Sequence, residues 1–464
     1  MCINQLNLFV VRAGLIFLYL CFVGIVQAQN YGKGLLLNDS KFDNILKLPE
    51  LSRGNFASLP PKYSLKSFAP EPGNQGSTST CTGWAVAYGA RTILEALKHP
   101  ESKTEIINNP FSPSFIYNQI RKSSDCNAGS SIIDACETLR DVGVLSLNEF
   151  GFDCEKVVSK RDSVVALRNR IKDFQELFFI LSKNKVIYTK KSLSENKPVI
   201  VGIKCPASFN SAKKLWQPTE ADYNAEFGGH AMTIVGYDDN LYGGAFELLN
   251  SWSKNWGDGG YCWIKYNDYE KFAKFAIQLI DSLGEDLDIK ISGSISLVLE
   301  NKEKLDLKKD EFGLSSVKAY GTNTLFRLIV NISYPAYFYA LSIDSSTKRN
   351  VIFPFSEKVS PYIPYNSTSI EIPSENHYFM LDDHIGSTTM LLFFSAKQLD
   401  IHGILDEIKI MGPDYINQLF SMLREKYNYP ESISIQFKND SSITFNSSGP
   451  LFEVVPIVIS ILHE

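Results

Sequence analysis

The chain has 464 residues, of which 44% are hydrophobic and 21% are charged, and its net charge at neutral pH is −5. This composition is ordinary for globular protein, and the length is sufficient for two or three domains. The slight acidity gives no electrostatic basis for binding nucleic acid, and the scattered histidines show no metal-binding spacing, so we expect no nucleic acid, metal ion or other cofactor.

An apolar run at residues 13–26 follows Arg12 and precedes Gln27-Ala28. This pattern predicts a cleavable export signal over residues 1–28. An uncleaved membrane anchor is the alternative, but the run is short for a spanning helix. We therefore expect a secreted, periplasmic or cell-surface protein with no stable membrane span once the signal has been removed. A polar, loosely patterned leader follows over residues 29–60.

Cys81 is the first candidate catalytic residue. The apolar and small residues that follow it predict a helix over Thr82–Lys98, which places Cys81 at or near a helix N-terminus. The helix dipole and the free N–H groups there favour a thiolate, the nucleophilic form of cysteine. The alternative is a buried structural thiol, which is the commoner role of a lone cysteine.

The remainder of the first half of the chain is predicted to be helical, and the part that follows it is predicted to be β. The expected helices are Ser112–Lys122, Ser131–Val142 and Ser163–Leu181, and the expected strands are 198–203, 231–237, 245–249 and 261–266.

His230 and Asn250 complete a candidate catalytic group. His230 follows Gly228-Gly229 and begins an apolar strand, and Asn250 opens the string Asn-Ser-Trp-x-x-x-Trp-Gly at residues 250–257. A nearby imidazole can take the proton of a thiol, and a third polar group can hold that imidazole in place. The alternatives are a core histidine and a glycine-rich turn without catalytic function.

The order Cys81, His230, Asn250 in these contexts resembles the papain-like cysteine peptidases over roughly residues 60–280. The resemblance implies a two-lobed α+β fold, with a helical lobe, a β-barrel-like lobe and the cleft between them. It implies that Cys81 is the nucleophile, that His230 is the acid and base, and that Asn250 orients His230. Gln75, six positions before Cys81, would donate its side-chain amide to the oxyanion.

Further roles follow from the same resemblance. Gly129 and Ala128 match the family's Cys-Asn-Gly-Gly segment and would pair with an extended substrate, although alanine replaces the first glycine. Trp252 would shield the bond between His230 and Asn250 and line the cleft. Trp84 stands three positions after the nucleophile rather than directly after it, and a customary cysteine is absent at Thr78, which resembles a divergent bacterial branch. Inhibitory leaders of the family are long and helical, so we expect residues 29–60 to be too short to inhibit in that way.

Removal of the signal and assignment of Cys81 to catalysis leave an odd number of cysteines, so at least one stays unpaired. Our preferred pair is Cys126–Cys154, which would clamp the segment near the cleft; Cys205–Cys262 is a weaker alternative, and Cys136 fits a buried helix face. Connectivity does not follow from sequence alone.

From about residue 285 the composition shifts to short strands separated by turns, with one helix expected at Pro413–Tyr427. This pattern predicts a β-sandwich-like C-terminal domain over 285–464, after a peptidase domain over 61–284. The domain resembles an uncharacterised bacterial accessory domain, and it would either bind a cell-surface partner or act as a spacer. The expected strands are 289–299, 324–332, 336–343, 351–354, 369–372, 389–395 and 432–437.

The sequence thus predicts an exported cysteine peptidase of the endopeptidase type that acts on peptides or proteins. Two alternatives remain open. One is a catalytically silent relative that binds peptides or partners, and the other is an exopeptidase or amide transferase that uses the same site.

Overall fold

The computed structural model describes residues 31–37, 40–178, 184–281, 291–344, 348–427, 433–438, 441–447 and 453–464. The candidate export signal at 1–28 and the expected domain boundary at 284/285 lie outside these residues. Within them, no helix combines the length and the apolarity needed to cross a bilayer.

The helical lobe is built around the segment that begins at Cys81. This segment starts as an α-helix at Cys81–Gly83, widens into a π-helix at Trp84–Arg91 and returns to an α-helix at Thr92–Lys98. It is buried from Cys81 to Leu94, and most of its residues there are small or apolar, with Arg91 as a buried charged exception. Other helices here are Lys103–Asn108, Pro113–Ile120, Ile132–Asp141, Leu147–Phe150 and Lys160–Ala166.

The β lobe is a largely antiparallel sheet. Its strands, in spatial order, are Asp173–Phe178, Ala273–Ile280, Val199–Pro206, Phe227–Asp238, Ala245–Leu249, Tyr261–Lys265 and Leu215–Trp216, and Lys62–Ser64 also pairs with Phe227–Asp238. Helices Lys185–Ser194, Glu220–Asn224 and Tyr266–Phe272 flank this sheet. The expected combination of a helical lobe and a β lobe is confirmed.

The expected helix at Ser163–Leu181 is wrong. A capping box between Ser159 and Asp162 starts a short helix, Lys160–Ala166, and the chain then forms the strand Asp173–Phe178. Five consecutive residues of this strand are buried. A short apolar run cannot be assigned to helix or strand by periodicity alone, and pairing with Ala273–Ile280 decides in favour of a strand.

The C-terminal region is β-rich, as expected, and contains two facing sheets. Phe394 of one sheet and Phe445 of the other lie with ring centroids 4.4 Å apart. The first sheet contains Leu307–Lys309, Leu314–Ser316, Val454–His463, Gly386–Ser395, Ala336–Ile343, Arg349–Phe353 and Tyr362–Ile363. The second contains Thr368–Ile372, Leu325–Ile332, Ser292–Leu299, Ile443–Asn446, Ser434–Phe437 and Phe379–Met380.

Two elements of this region differ from the sequence-based prediction. Besides the helix Tyr415–Lys426, a second helix spans Ile401–Ile410, so the expectation of one helix is wrong. The strand Val454–His463 was not predicted, although it pairs with Gly386–Ser395 along ten residues. Its apolar run at 454–459 carries no alternation because all six of these residues are buried.

Candidate active site

Cys81 is the first residue of the buried helix, and it is fully inaccessible to solvent. Burial raises the pKa of its thiol, since the charged form loses its hydration, and the backbone N–H groups of Ala231 and Gly34 partly oppose this effect. In the arrangement seen here the thiol is therefore protonated at neutral pH.

His230 lies in the strand Phe227–Asp238, opposite Ile203 of the neighbouring strand. Its Nε2 is 2.8 Å from Oδ1 of Asn250, and that oxygen also accepts a hydrogen bond from the backbone N–H of Ser251. Burial lowers the pKa of His230 to about 4, although the bond to Asn250 raises it. The imidazole is therefore neutral at pH 7, and its buried Nδ1 has no hydrogen-bond partner in the described part of the chain.

Trp252 covers the bond between His230 and Asn250. Its ring is fully buried and stacks on the imidazole of His230 at a centroid distance of 4.5 Å. A covering apolar ring excludes water and so strengthens the polar contact beneath it. Trp252 also stacks on Tyr31 of the leader, at 4.6 Å and an interplanar angle of 9°.

Ser251, the residue after Asn250, holds Gln75 in place. Its Oε1 accepts a 2.5 Å hydrogen bond from the hydroxyl of Ser251, and its backbone N–H donates to the Ser251 carbonyl at 2.8 Å. Its Nε2 donates to the carbonyl oxygens of Thr78 at 2.7 Å and Gly32 at 3.1 Å. The amide nitrogen thus faces the cleft, where the Gly32 carbonyl of the leader accepts its hydrogen bond.

The segment with Ala128 and Gly129 forms one wall of the cleft. The disulfide Cys126–Cys154, with Cα atoms 5.6 Å apart, fixes its start, and the Tyr117 hydroxyl lies 2.7 Å from the carbonyl oxygen of Ala128. The alternative pair is not formed, because Cys205 and Cys262 are both free and buried, as is Cys136.

The leader runs through this site as an extended segment. Leu36 N–H donates to the carbonyl of Ser130 at 3.1 Å, and Ser130 N–H donates to Gly34 at 2.8 Å, which makes a parallel bridge. On the other side, Leu35 N–H donates to the carbonyl of Gly229 at 3.1 Å. The extended backbone of the leader thus forms hydrogen bonds with both walls of the cleft. We call residues 31–37 the cleft segment.

Two glycines allow this close approach. A Cβ atom on Gly32 would lie 1.9 Å from the carbonyl oxygen of Thr78, and one on Gly34 would lie 2.1 Å from that of Ser79. Between these walls Leu35 is 5% exposed and packs in the same hydrophobic cluster as Cys81, Ala231 and Phe275. The cleft segment therefore seals Cys81 from solvent.

The leader pairs with the backbone of Ser130, one residue beyond Gly129. Gly129 itself faces the Leu36 side chain, since a Cβ there would lie 2.8 Å from Leu36 Cδ2. Sequence reasoning missed Ser130, Ser251 and the cleft segment. The alternation Gly32-Lys33-Gly34 before three leucines was the available signal, because closely spaced glycines mark close backbone approach.

Residues 84–278 match the model of the papain family of cysteine proteases, a range that contains His230 and Asn250 and begins just after Cys81. A peptidase C1-like protein of Acanthamoeba polyphaga mimivirus is 26% identical over 42% of this chain and 63% of its own length. A cysteine protease of Blomia tropicalis is 23% identical over 41% of this chain and 56% of its own length. The chain thus aligns with less than two thirds of either relative.

Among solved structures, xylellain, a cysteine protease from Xylella fastidiosa, superposes with a TM-score of 0.47 and 23% identity. The superposition covers 55% of this chain and 98% of xylellain.

Proposed function

We propose, from the premise that this chain contains a papain-family cysteine protease domain, that the protein is a peptidase whose own leader keeps it latent. The observation that carries the proposal is the convergence of Cys81, His230, Asn250 and Gln75 at one cleft already filled by an extended peptide segment. A cleft that holds one extended backbone between two walls is suited to hold another.

The chemistry follows from the side chains present. Once the cleft segment leaves and water enters, the desolvation that keeps Cys81 and His230 neutral is relieved, and the proton can pass from the thiol to the imidazole. The thiolate attacks the peptide carbonyl carbon, and the oxyanion accepts hydrogen bonds from Gln75 Nε2 and the Cys81 N–H. His230 then protonates the departing amine, which leaves a thioester on Cys81.

Hydrolysis of the thioester completes the cycle. His230 takes a proton from water, the resulting hydroxide attacks the thioester carbonyl, and the thiolate departs with the acid product released. Asn250 keeps the imidazole in the required orientation through both steps by its 2.8 Å contact with Nε2.

The path of the cleft segment favours endopeptidase action over exopeptidase action. The Gly32 N–H donates to the Gly76 carbonyl, and the Leu36 N–H donates to the Ser130 carbonyl. The backbone between them therefore continues beyond Cys81 in both directions. A chain that continues past the thiol in both directions needs no terminal charge to be captured.

A test requires an open cleft. Gly34→Val cannot seat the leader, because its Cβ would meet the Ser79 backbone. We expect this variant to cut a long unstructured polypeptide into internal fragments, and the same variant with Cys81→Ser to cut nothing. Release of single residues or dipeptides from one end would contradict endopeptidase action, and no cleavage by an open, folded chain would contradict the peptidase proposal.

Export is part of the same proposal. It is supported by the signal-like run at residues 1–28 and by the disulfide Cys126–Cys154, since disulfides persist in oxidising compartments. Sequencing the N-terminus of the protein recovered outside the cytoplasm tests it, and a chain that keeps residues 1–28 there would contradict cleavage.

A further inference from the structure

The second half of the leader, residues 46–55, lies between the peptidase lobes and the C-terminal β region, and we call it the anchor segment. On the peptidase side, Glu176 N–H donates to the Leu46 carbonyl at 3.2 Å, and Leu48 N–H donates to the Glu176 carbonyl at 3.1 Å. On the opposite side, Lys47 N–H donates to the Lys358 carbonyl at 2.8 Å, and Ser360 N–H donates to the Lys47 carbonyl at 2.9 Å. The anchor segment thus joins the two parts of the protein by backbone hydrogen bonds.

Further along, the anchor segment extends a sheet of the C-terminal region. Thr368–Ile372 is the edge strand of that sheet, and its outer backbone groups would otherwise be open to another chain. Ser52 N–H donates to the Ser369 carbonyl at 3.0 Å, and Leu51 bridges to Ile370. This is strand addition of the kind by which sheets capture extended peptides.

Asn55 closes this contact with its side chain. Its Nδ2 donates to the Ser369 carbonyl at 2.7 Å, and its Oδ1 accepts from the Ser369 N–H at 2.8 Å, so both backbone groups of Ser369 are satisfied by the leader. Arg53 adds an ion pair with Glu375, at 2.7 Å between Nε and Oε2. The Arg53 side chain is 81% exposed, so this pair is the weaker contribution.

The C-terminal region is itself firmly attached to the peptidase lobes. Gln175 Nε2 donates to Ser360 Oγ at 2.5 Å and to the Tyr362 carbonyl at 2.9 Å, and the Tyr365 hydroxyl donates to Gln278 Oε1 at 2.8 Å. These groups are buried, so the edge strand keeps a fixed position relative to the cleft.

We propose that the C-terminal β region is a latch, which holds the anchor segment on its edge strand and thereby keeps the cleft segment on Cys81. That the latch inhibits peptide hydrolysis rests on the proposed peptidase function. Leu36, near the end of the cleft segment, is already 37% exposed, so this end of the segment is the part most open to solvent. When the anchor segment is fixed, the cleft segment stays close to the cleft. Its effective concentration there is then high, and it rebinds readily after each local opening.

Hydrogen exchange of the full chain tests the latch without requiring turnover. Asn55→Ala removes all three side-chain hydrogen bonds to Ser369, and we expect exchange at the Leu35 and Leu36 amides to become about tenfold faster. Glu50→Ala, at an exposed position inside the anchor segment, is the matched control and should leave both amides unchanged. Glu375→Ala removes the ion pair with Arg53 and the hydrogen bond from the Arg53 backbone N–H, and it should also accelerate exchange at both amides in a chain that remains folded.

One result overturns the proposal: in Asn55→Ala or Glu375→Ala, exchange at Ser52 accelerates while Leu35 and Leu36 exchange as in the unaltered chain. The anchor contact would then be lost without any effect at the cleft. A variant whose Leu35 and Leu36 amides exchange faster but which hydrolyses no peptide would contradict the proposed function and would not contradict the latch.

Discussion

The hydroxyl of Ser251 donates a 2.5 Å hydrogen bond to Oε1 of Gln75, which fixes the orientation of an amide that is 1% exposed. With Oε1 held in this way, Nε2 is turned towards Gly32 and the cleft. Ser251 therefore positions the proposed oxyanion donor.

We predict that Ser251→Ala, in the open Gly34→Val chain, lowers kcat about tenfold with little change in KM. The reason is that an unsatisfied buried oxygen costs about 1–3 kcal/mol and frees the amide to turn. Gln75→Ala should cost about 10²–10³ in kcat. Steady-state kinetics of the variant that combines Ser251→Ala with Gln75→Ala distinguish the possibilities, because this variant should be no slower than Gln75→Ala alone. Ser251→Thr, which keeps the hydroxyl, should restore the rate. Additive losses would show that Ser251 does not act through Gln75.

The leader should inhibit when it is supplied as a separate peptide. A synthetic peptide with the sequence of residues 31–37 should inhibit the Gly34→Val chain competitively, because it can form the bonds to Ser130 and Gly229. The matched control is the same peptide with valine in place of its second glycine, which would collide with the Ser79 carbonyl. Equal inhibition by both peptides would contradict the seating described for the cleft segment.

Acid should weaken the closed state. The pKa of His230 is lowered by burial to about 4, whereas an unfolded histidine titrates near 6.5, so between these values the unfolded chain binds more protons. The stability contributed by neutral His230 is present above about pH 6.5 and is lost as the pH falls towards 4, by up to about 3 kcal/mol.

Thermal unfolding at pH 7.5 and pH 4.5 measures this effect, with His230→Gln as the control that cannot titrate. The fall in Tm between the two pH values should be larger for the unaltered chain than for His230→Gln. Identical falls would mean that His230 is protonated as readily in the closed state as in the unfolded chain.

The disulfide Cys126–Cys154 should contribute measurably to stability, since its cysteines are 28 positions apart in the sequence. Closure of a loop of this size is worth about 3–4 kcal/mol in the chain-entropy model. We predict that the double variant Cys126→Ser, Cys154→Ser loses about this much free energy of unfolding, measured by urea denaturation. Cys136→Ser, at a buried free cysteine, is the control for a change of cysteine alone, and an equal loss in both would contradict the prediction.

The sequence predicted the local surroundings of the candidate catalytic residues well. Cys81 starts its helix, and His230 and Asn250 lie at or next to strands of the β lobe, because each is embedded in a run whose pattern is decided locally. The strand Asp173–Phe178 was missed because its conformation is decided by pairing with Ala273–Ile280, about a hundred positions away.

The path of the leader could not be predicted for a similar reason. Gly32 reaches Gln75 across 43 positions, and Asn55 reaches Ser369 across 314, and neither contact leaves a periodic signal in a polar, loosely patterned segment. What the sequence did contain was the Gly32-Lys33-Gly34 alternation, whose meaning depends on the walls of the cleft it enters.

The most direct test of the account is alkylation of the open Gly34→Val chain with an epoxide that reacts with activated thiolates, followed by mass mapping. We predict a single adduct, on Cys81, that forms much faster than in the unaltered chain and is lost when His230→Ala is added. The account would be contradicted if Cys81 stayed unmodified in a folded chain whose Leu35 and Leu36 amides exchange freely. It would also be contradicted if the adduct formed equally fast when His230→Ala is added.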